Sequence, residues 1–197
     1  MSEPDFDPDA ELIARVGRDD ASAVRQLVAR KLPRVLALAA RMLGDRMEAQ
    51  DVAQETFVRV WKQAPHWREG EARFDTWLHR VAMNLCYDRL RTRRDTVDEE
   101  AADRLTEEAV PSAGEPEAAL EARQHGERVR AALAALPPRQ REALVLTYYQ
   151  ELSNAQAASL MGLSVDALES LLVRARRGVR AQLAPREPET ASARRKR

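Results

Sequence analysis

The hydrophobic pattern of this chain is helical. Between Leu152 and Leu183, LSNAQAASLMGLSVDALESLLVRARRGVRAQL predicts two helices joined by a tight turn. Ser153 is placed to cap the first helix and Ser164 the second, because a serine hydroxyl accepts from the free N–H groups of a first helical turn. Gly162 supplies the turn, and the small pair Ala157 and Ala158 lets the helices cross closely. Along the second helix Val165, Leu168, Leu172, Ala175, Val179 and Leu183 recur three or four apart and make one apolar stripe. Asp166, Glu169, Ser170, Arg174, Arg176, Arg177 and Arg180 are left for solvent or a partner. This is the pattern of a helix-turn-helix, whose second helix enters the major groove by its N-terminal residues. An ordinary helical hairpin with a solvated charged face has the same pattern.

Residues 9–94 read as a compact helical domain. A short amphipathic helix is expected over Asp9–Val16, and a second from Asp20 carrying Val24, Leu27 and Val28. Pro33 opens or kinks the next, which carries Val35, Leu36, Leu38, Ala39, Met42 and Leu43 before Gly44-Asp45 breaks it. A further helix from Met47 to Gln63 ends at Ala64-Pro65, and after the loop His66 to Arg73 a last one runs from Phe74 to Arg93. In the C-terminal part, Pro137-Pro138 separates a helix with Val129, Leu133 and Leu136 from one with Leu144, Val145, Leu146, Tyr148 and Tyr149. The expected fold class is all-α: two small helical domains, 1–94 and 122–183, joined by a flexible acidic linker, 95–121, and followed by a basic, disordered tail, 184–197. Independent motion of the two domains follows from such a linker.

Formal net charge is zero, but the charge is segregated. Residues 24–94 carry fifteen bases against eight acids and residues 122–197 fourteen against seven, whereas 95–121 carry ten acids and one base. Two basic blocks around an acidic one hint at polyanion binding by the blocks. The one cysteine, Cys86, lies among apolar residues and reads as a buried structural thiol. No apolar run approaches membrane-spanning length, and the acidic N-terminus does not resemble a signal peptide, so no membrane insertion and a cytoplasmic location are expected.

Two constellations in the first domain carry chemistry. In EAQDVAQETFVRVWK, Glu48, Asp51 and Glu55 share a helix face bordered by Gln54, while Phe57 and Trp61 lie on another side. Such a face is either solvated or a dock for a basic protein partner. In WREGEARFDTWLHRVAMNLCYDRLRTRR, the aromatics Trp67, Phe74, Trp77 and Tyr87 are interleaved with Arg68, Arg73, Arg80, Arg89, Arg91, Arg93 and Arg94. Aromatics stack on unpaired bases while arginines hold phosphates, which suits single-stranded nucleic acid. Asn84 beside an aromatic loop also suits an extruded base read along its edge. The competing reading is core packing, expected for Trp77 and part of Phe74; Trp67, in the loop, is the better stacking candidate.

Together these segments resemble the extracytoplasmic-function (ECF) type of alternative bacterial RNA polymerase sigma factor. DVAQETFVRVWK resembles that family's core-polymerase-binding helix and FDTWLHRVAMNLCYDRLRTRR its −10 reading helix. LPPRQREALVLTYYQELSNAQAASLMGLSVDALESLLVRARRGVR resembles its −35 reading domain. The resemblance implies binding to core RNA polymerase through Asp51, Gln54 and Glu55. It implies contact with unpaired −10 DNA through Trp67, Arg68, Arg80, Asn84, Arg89, Arg91 and Arg93. Duplex −35 DNA would meet Ser164, Val165, Asp166, Ala167, Glu169, Ser170, Arg174 and Arg176. Core polymerase, promoter DNA and an anti-sigma factor are the implied partners. The family often has basic residues where this chain has Glu169 and Leu171; an acid there accepts from cytosine N4 or only faces water. Glu69 and Glu71 leave the preferred −10 base open.

A sigma-like mimic that sequesters an anti-sigma factor is the alternative, and it does not need the intact DNA-reading residues retained here. A generic DNA-binding regulator leaves the aromatic-rich first domain unexplained. No catalysis, cofactor or metal site is expected: His66, His79 and His125 show no ligand spacing with Cys86 or a carboxylate pair, and no glycine-rich phosphate loop occurs.

Overall fold

The computed structural model describes residues 7–68, 73–97 and 117–184, with the side chains of 94–97 and 117–123 left aside. Among the described residues every regular element is a helix. The expected linker centre, 98–116, the tail from 185 and the loop residues 69–72, Glu69 and Glu71 included, lie outside the described residues.

The first domain is built from α1 (Ala10–Val16), α2 (Ala21–Leu43), α3 (Arg46–Gln63), a 3-10 turn (Ala64–His66) and α4 (Phe74–Val97). Local caps fix the starts. Asp20 accepts from the backbone of Ser22 at 2.8 Å and of Ala23 at 3.2 Å, and Asp45 from Glu48 N at 2.9 Å. Bonds to Asp20 from the Ser22 hydroxyl and then Arg15 hold its carboxyl well below the usual range. Gly17 ends α1 against the turn after α3, so close that an added Cβ would lie 2.6 Å from the Ala64 carbonyl oxygen.

One expectation for this domain changes. The helices expected on either side of Pro33 are one helix, α2. A proline removes one backbone donor and frees the carbonyl four residues earlier, here that of Ala29, and both residues are exposed, so water can take the orphan. Two acids ahead of α1, Asp7 and Asp9, are also structural. Buried Asp7 accepts from Phe74 N at 2.6 Å and Asp9 N at 3.0 Å, which joins the chain start to the start of α4. Buried Asp9 and Lys31 form an ion pair, and the Lys31 ammonium also bonds Asp75 at 2.5 Å. Removing one member of such a pair leaves an uncompensated buried charge, at a cost of about 3–5 kcal/mol.

The second domain holds α5 (Glu117–Ala134), α6 (Pro138–Leu144), a single π-helical turn (Val145–Tyr149), α7 (Asn154–Met161) and α8 (Val165–Leu183). α8 packs on α5, α6 and α7 through Leu168, Leu172 and Ala175. Its stripe is shorter than the pattern implies: Val179 is half-buried, and Val165 and Leu183 are each 40% exposed, since both sit at the helix ends. The edges of the expected linker are helical too, in α4 to Val97 and in α5 from Glu117.

The two domains are docked on each other. α2 packs on α5, α6 and the π turn, and α4 touches α7. Polar groups join them. Buried Arg141 donates to the carbonyl of Met42 at the end of α2 while also bonding Ala134 and Leu136 O. The Tyr87 hydroxyl donates to buried Glu142, which Arg139 also holds at 3.1 Å. Gln150 bonds both Arg34 and His79. These are polar residues with no helical period, so an apolar pattern gives no sign of them.

Candidate nucleic-acid interface

The helix-turn-helix follows from three caps. Ser153 accepts from Gln156 N at 3.2 Å, while the Gln156 side chain accepts from Ser153 N at 3.0 Å, a reciprocal capping box. Gly162 ends α7 at φ +67°, the left-handed region in which a side chain is strained. Ser164 then caps α8 by accepting from Ala167 N at 3.2 Å. Val165, Asp166, Glu169, Ser170, Arg174 and Arg176 are exposed and Ala167 is half-buried. Val173, 62% exposed, belongs to the same surface; the helical pattern placed it in neither the apolar stripe nor the polar face. The arginines differ in freedom. Arg174 Nε bonds the Ser170 carbonyl at 3.1 Å, and Arg176 Nε bonds the Tyr148 hydroxyl at 2.8 Å with its guanidinium over that ring. Arg177 and Arg180 extend the exposed basic face toward the helix end.

On α4, Arg80, Asn84, Asp88 and Arg91 are exposed at spacings of three and four, so they form one stripe. Asp88 neutralises part of it by pairing with Arg91 at 3.0 Å. Arg89 pairs with Asp51 at 3.5 Å, which links α4 to α3. Arg93 is a structural tie: it bonds the Leu43 carbonyl at 2.9 Å and pairs with Glu48 at 2.7 Å. Of the expected −10 residues, Arg68, Arg80, Asn84 and Arg91 therefore present exposed heads. Trp67 is half-buried, its ring edge-on to Phe74 at 5.4 Å and to Trp77 at 5.6 Å, and its buried indole N–H has no hydrogen-bond partner among the described residues. Phe74 is wholly buried and Trp77 half-buried.

Arg80, Met83, Asn84 and Tyr87 face Arg139, Glu142 and the α7 end, Ser159 to Gly162, across an open cleft of about 580 Å³. Burial, and then the bond to Glu142, push the Tyr87 hydroxyl up. Below this stripe Cys86 is fully buried, and desolvation pushes its thiol up to about 12.

On α3 Asp51 and Gln54 are exposed and Glu55 is half-buried, bonded to Arg59 at 3.1 Å. Met47 (68% exposed), Val58 and Trp61 continue that surface at helical spacings, giving an acidic face with apolar ends. Trp61 was assigned to another side; its ring rests on Phe57, which alone of the two is buried. No cluster of three metal-ligating side chains occurs among the described residues, and no described helix is long and apolar enough to cross a membrane.

A tight helix-turn-helix behind an aromatic helical domain is the build of a DNA-binding transcription factor. Family models for Sigma-70 region 2 and Sigma-70 region 4 match residues 27–96 and 126–177. The chain is 31% identical to the ECF RNA polymerase sigma factor SigE of Mycolicibacterium smegmatis over 96% of its own length and 73% of that protein's. It is 33% identical to the RNA polymerase sigma-H factor of Pseudomonas aeruginosa over 90% of its length and 94% of that protein's. The structure of CnrH in complex with the cytosolic domain of CnrY superposes with a TM-score of 0.66 at 30% identity, covering 91% of this chain and 99% of that one. The chain belongs to the ECF RNA polymerase sigma factors.

Proposed function

We propose that this sigma factor binds core RNA polymerase through the acidic, apolar-ended face of α3 and steers it to promoters read at two places. Asp51, Gln54 and Glu55 are the polar contacts, and Met47, Val58 and Trp61 supply the apolar area. The exposed stripe of Arg80 and Asn84 on α4, with Arg68, meets unpaired −10 DNA. Trp67 shapes this site from beneath, through its contacts with Phe74 and Trp77. The N-terminal half of α8 reads the −35 duplex from the major groove, with Arg174 and Arg177 on phosphates. The reaction itself belongs to the polymerase, in the cytoplasm where the promoter is. The observation that carries the reading is the fully capped helix-turn-helix, Ser153 to Ser164, which leaves a polar and basic face of α8 exposed.

An anti-sigma partner belongs to the same proposal, since the similar protein CnrH is solved with the cytosolic domain of CnrY. Run-off transcription with purified core polymerase over a promoter library tests the function. Sequence-dependent transcripts are expected; an anti-sigma-sequestering mimic gives none.

A further inference from the structure

α8 carries two acids at the end that faces DNA. Asp166 lies in the first turn, where a carboxylate is favoured by the positive end of the helix dipole. Glu169 opens the second turn, beyond that effect. A carboxylate near DNA is repelled by phosphate and is costly unless it meets a donor on a base edge. Glu169 is exposed and its direction is set. The Asn154 side-chain amide, at the start of α7, donates to Glu169 Oε1 at 3.2 Å. The second oxygen, Oε2, carries no hydrogen bond or ion pair among the described residues. Val165 and Val173 stand one turn before and one turn after, 40% and 62% exposed. Exposed methyl groups of this kind suit the C5-methyl of thymine, and a carboxylate oxygen suits the N4 amino group of cytosine.

We propose that Glu169 reads a cytosine of the −35 duplex by accepting from its N4 amino group, with Asn154 as the positioning residue and Val165 and Val173 against neighbouring thymine methyls. The proposal rests on α8 being the −35 reading helix. Its rival is a strap: the Asn154–Glu169 bond ties α7 to α8 and touches no base.

The test uses holoenzyme assembled from core polymerase and the full chain, transcribing a library randomised over the −35 element. The wild type is expected to prefer cytosine at one position by ~5- to ~150-fold over the other bases. Glu169→Gln keeps an acceptor for Asn154 and is expected to move the preference at that position from cytosine to adenine, whose N6 and N7 glutamine bonds bidentately. Asn154→Ala is expected to flatten the preference at that position alone, with the melting temperature unchanged. Variants that select the wild-type sequence, or lose activity evenly over all positions, overturn the proposal in favour of the strap. A wild type that transcribes from the library without any −35 preference overturns the reading of α8 beneath it.

Discussion

Arg34 of α2 and Gln150, just after the π turn, exchange two hydrogen bonds across the domain boundary: the Arg34 guanidinium donates to the Gln150 carbonyl, and the Gln150 amide donates to the Arg34 carbonyl, each at 3.2 Å. The Gln150 side-chain oxygen meets His79 Nε2 at 3.1 Å, and Gln150 is 2% exposed. Promoter elements centred about 25 base pairs apart are separated by roughly 85 Å at 3.4 Å per step. A small domain is only about 30 Å across. The docked pair must therefore separate before both elements are read.

Gln150→Ala is expected to loosen the docking. It removes the amide from a buried site, leaves the His79 nitrogen without its Gln150 partner and takes the second bond from the Arg34 carbonyl, a penalty of about 1–3 kcal/mol. The free protein should show a larger radius of gyration by small-angle scattering and a longer interdomain distance by energy transfer. An unchanged distance distribution would mean that the remaining contacts, Arg141 to Met42 and Tyr87 to Glu142 among them, hold the domains without Gln150.

Reversing charge on α3, with Asp51→Arg and Glu55→Arg together, is expected to abolish binding to core polymerase while helicity stays intact. Both side chains are about half exposed, and their partners Arg89 and Arg59 are exposed as well. Exposed pairs of this kind are worth at most about 1 kcal/mol each. Repulsion from a basic partner face is far larger in effect. Fluorescence anisotropy against core polymerase, with circular dichroism on the same samples, decides it. Unchanged affinity returns the α3 acids to a solvated face.

What was legible in the chain was what is local. Ser153, Gly162 and Ser164 announce the helix-turn-helix because capping is decided within four residues, and all three sit as read. What was hidden depends on distant partners. Asp7 and Asp9 give no sign of burial until α4 and Lys31 are placed beside them. Gln150, Glu142 and Arg141 are buried polar groups whose partners lie over 50 residues away. Arg93 looked like a phosphate ligand in an arginine run, and only the position of the α2 C-terminus and Glu48 reveals a structural tie. Trp61 was read with Phe57 on the apolar side, whereas no described element covers it fully.

Cys86 is expected to be inert and to couple stability to alkaline pH. Its thiol is fully buried, and burial raises its pKa from 9.0 to about 12. The unfolded chain therefore ionises first. The contribution of this group to stability is complete below pH 9 and is lost as pH rises toward about 12. At pH 8 a disulfide reagent should label the native protein only as fast as it unfolds. Urea titrations from pH 8 to 11 should show a steeper loss of stability for the wild type than for Cys86→Ala. Rapid labelling of native protein at pH 8 would contradict the buried placement.

Asn84→Ala is expected to lower transcription without weakening −35 duplex binding. Asn84 is exposed on α4, one turn beyond Arg80, over a helix face whose inner side is Leu85 and fully buried Cys86. Its amide offers two donors and an acceptor, enough to match a base edge, and no fold contact competes for them among the described residues. Loss of such a contact costs roughly 1–3 kcal/mol, about 5- to 150-fold in promoter preference. Trp67→Ala acts differently: it removes the ring that packs against Phe74 and Trp77, so it should lower the melting temperature as well as activity. The two are separated with a template whose −10 element is already unpaired. Asn84→Ala should still be defective there, because the lost contact is to the base and not to the opening step. A full recovery on the unpaired template would assign Asn84 to strand opening, and full activity on both templates would remove it from the −10 site altogether.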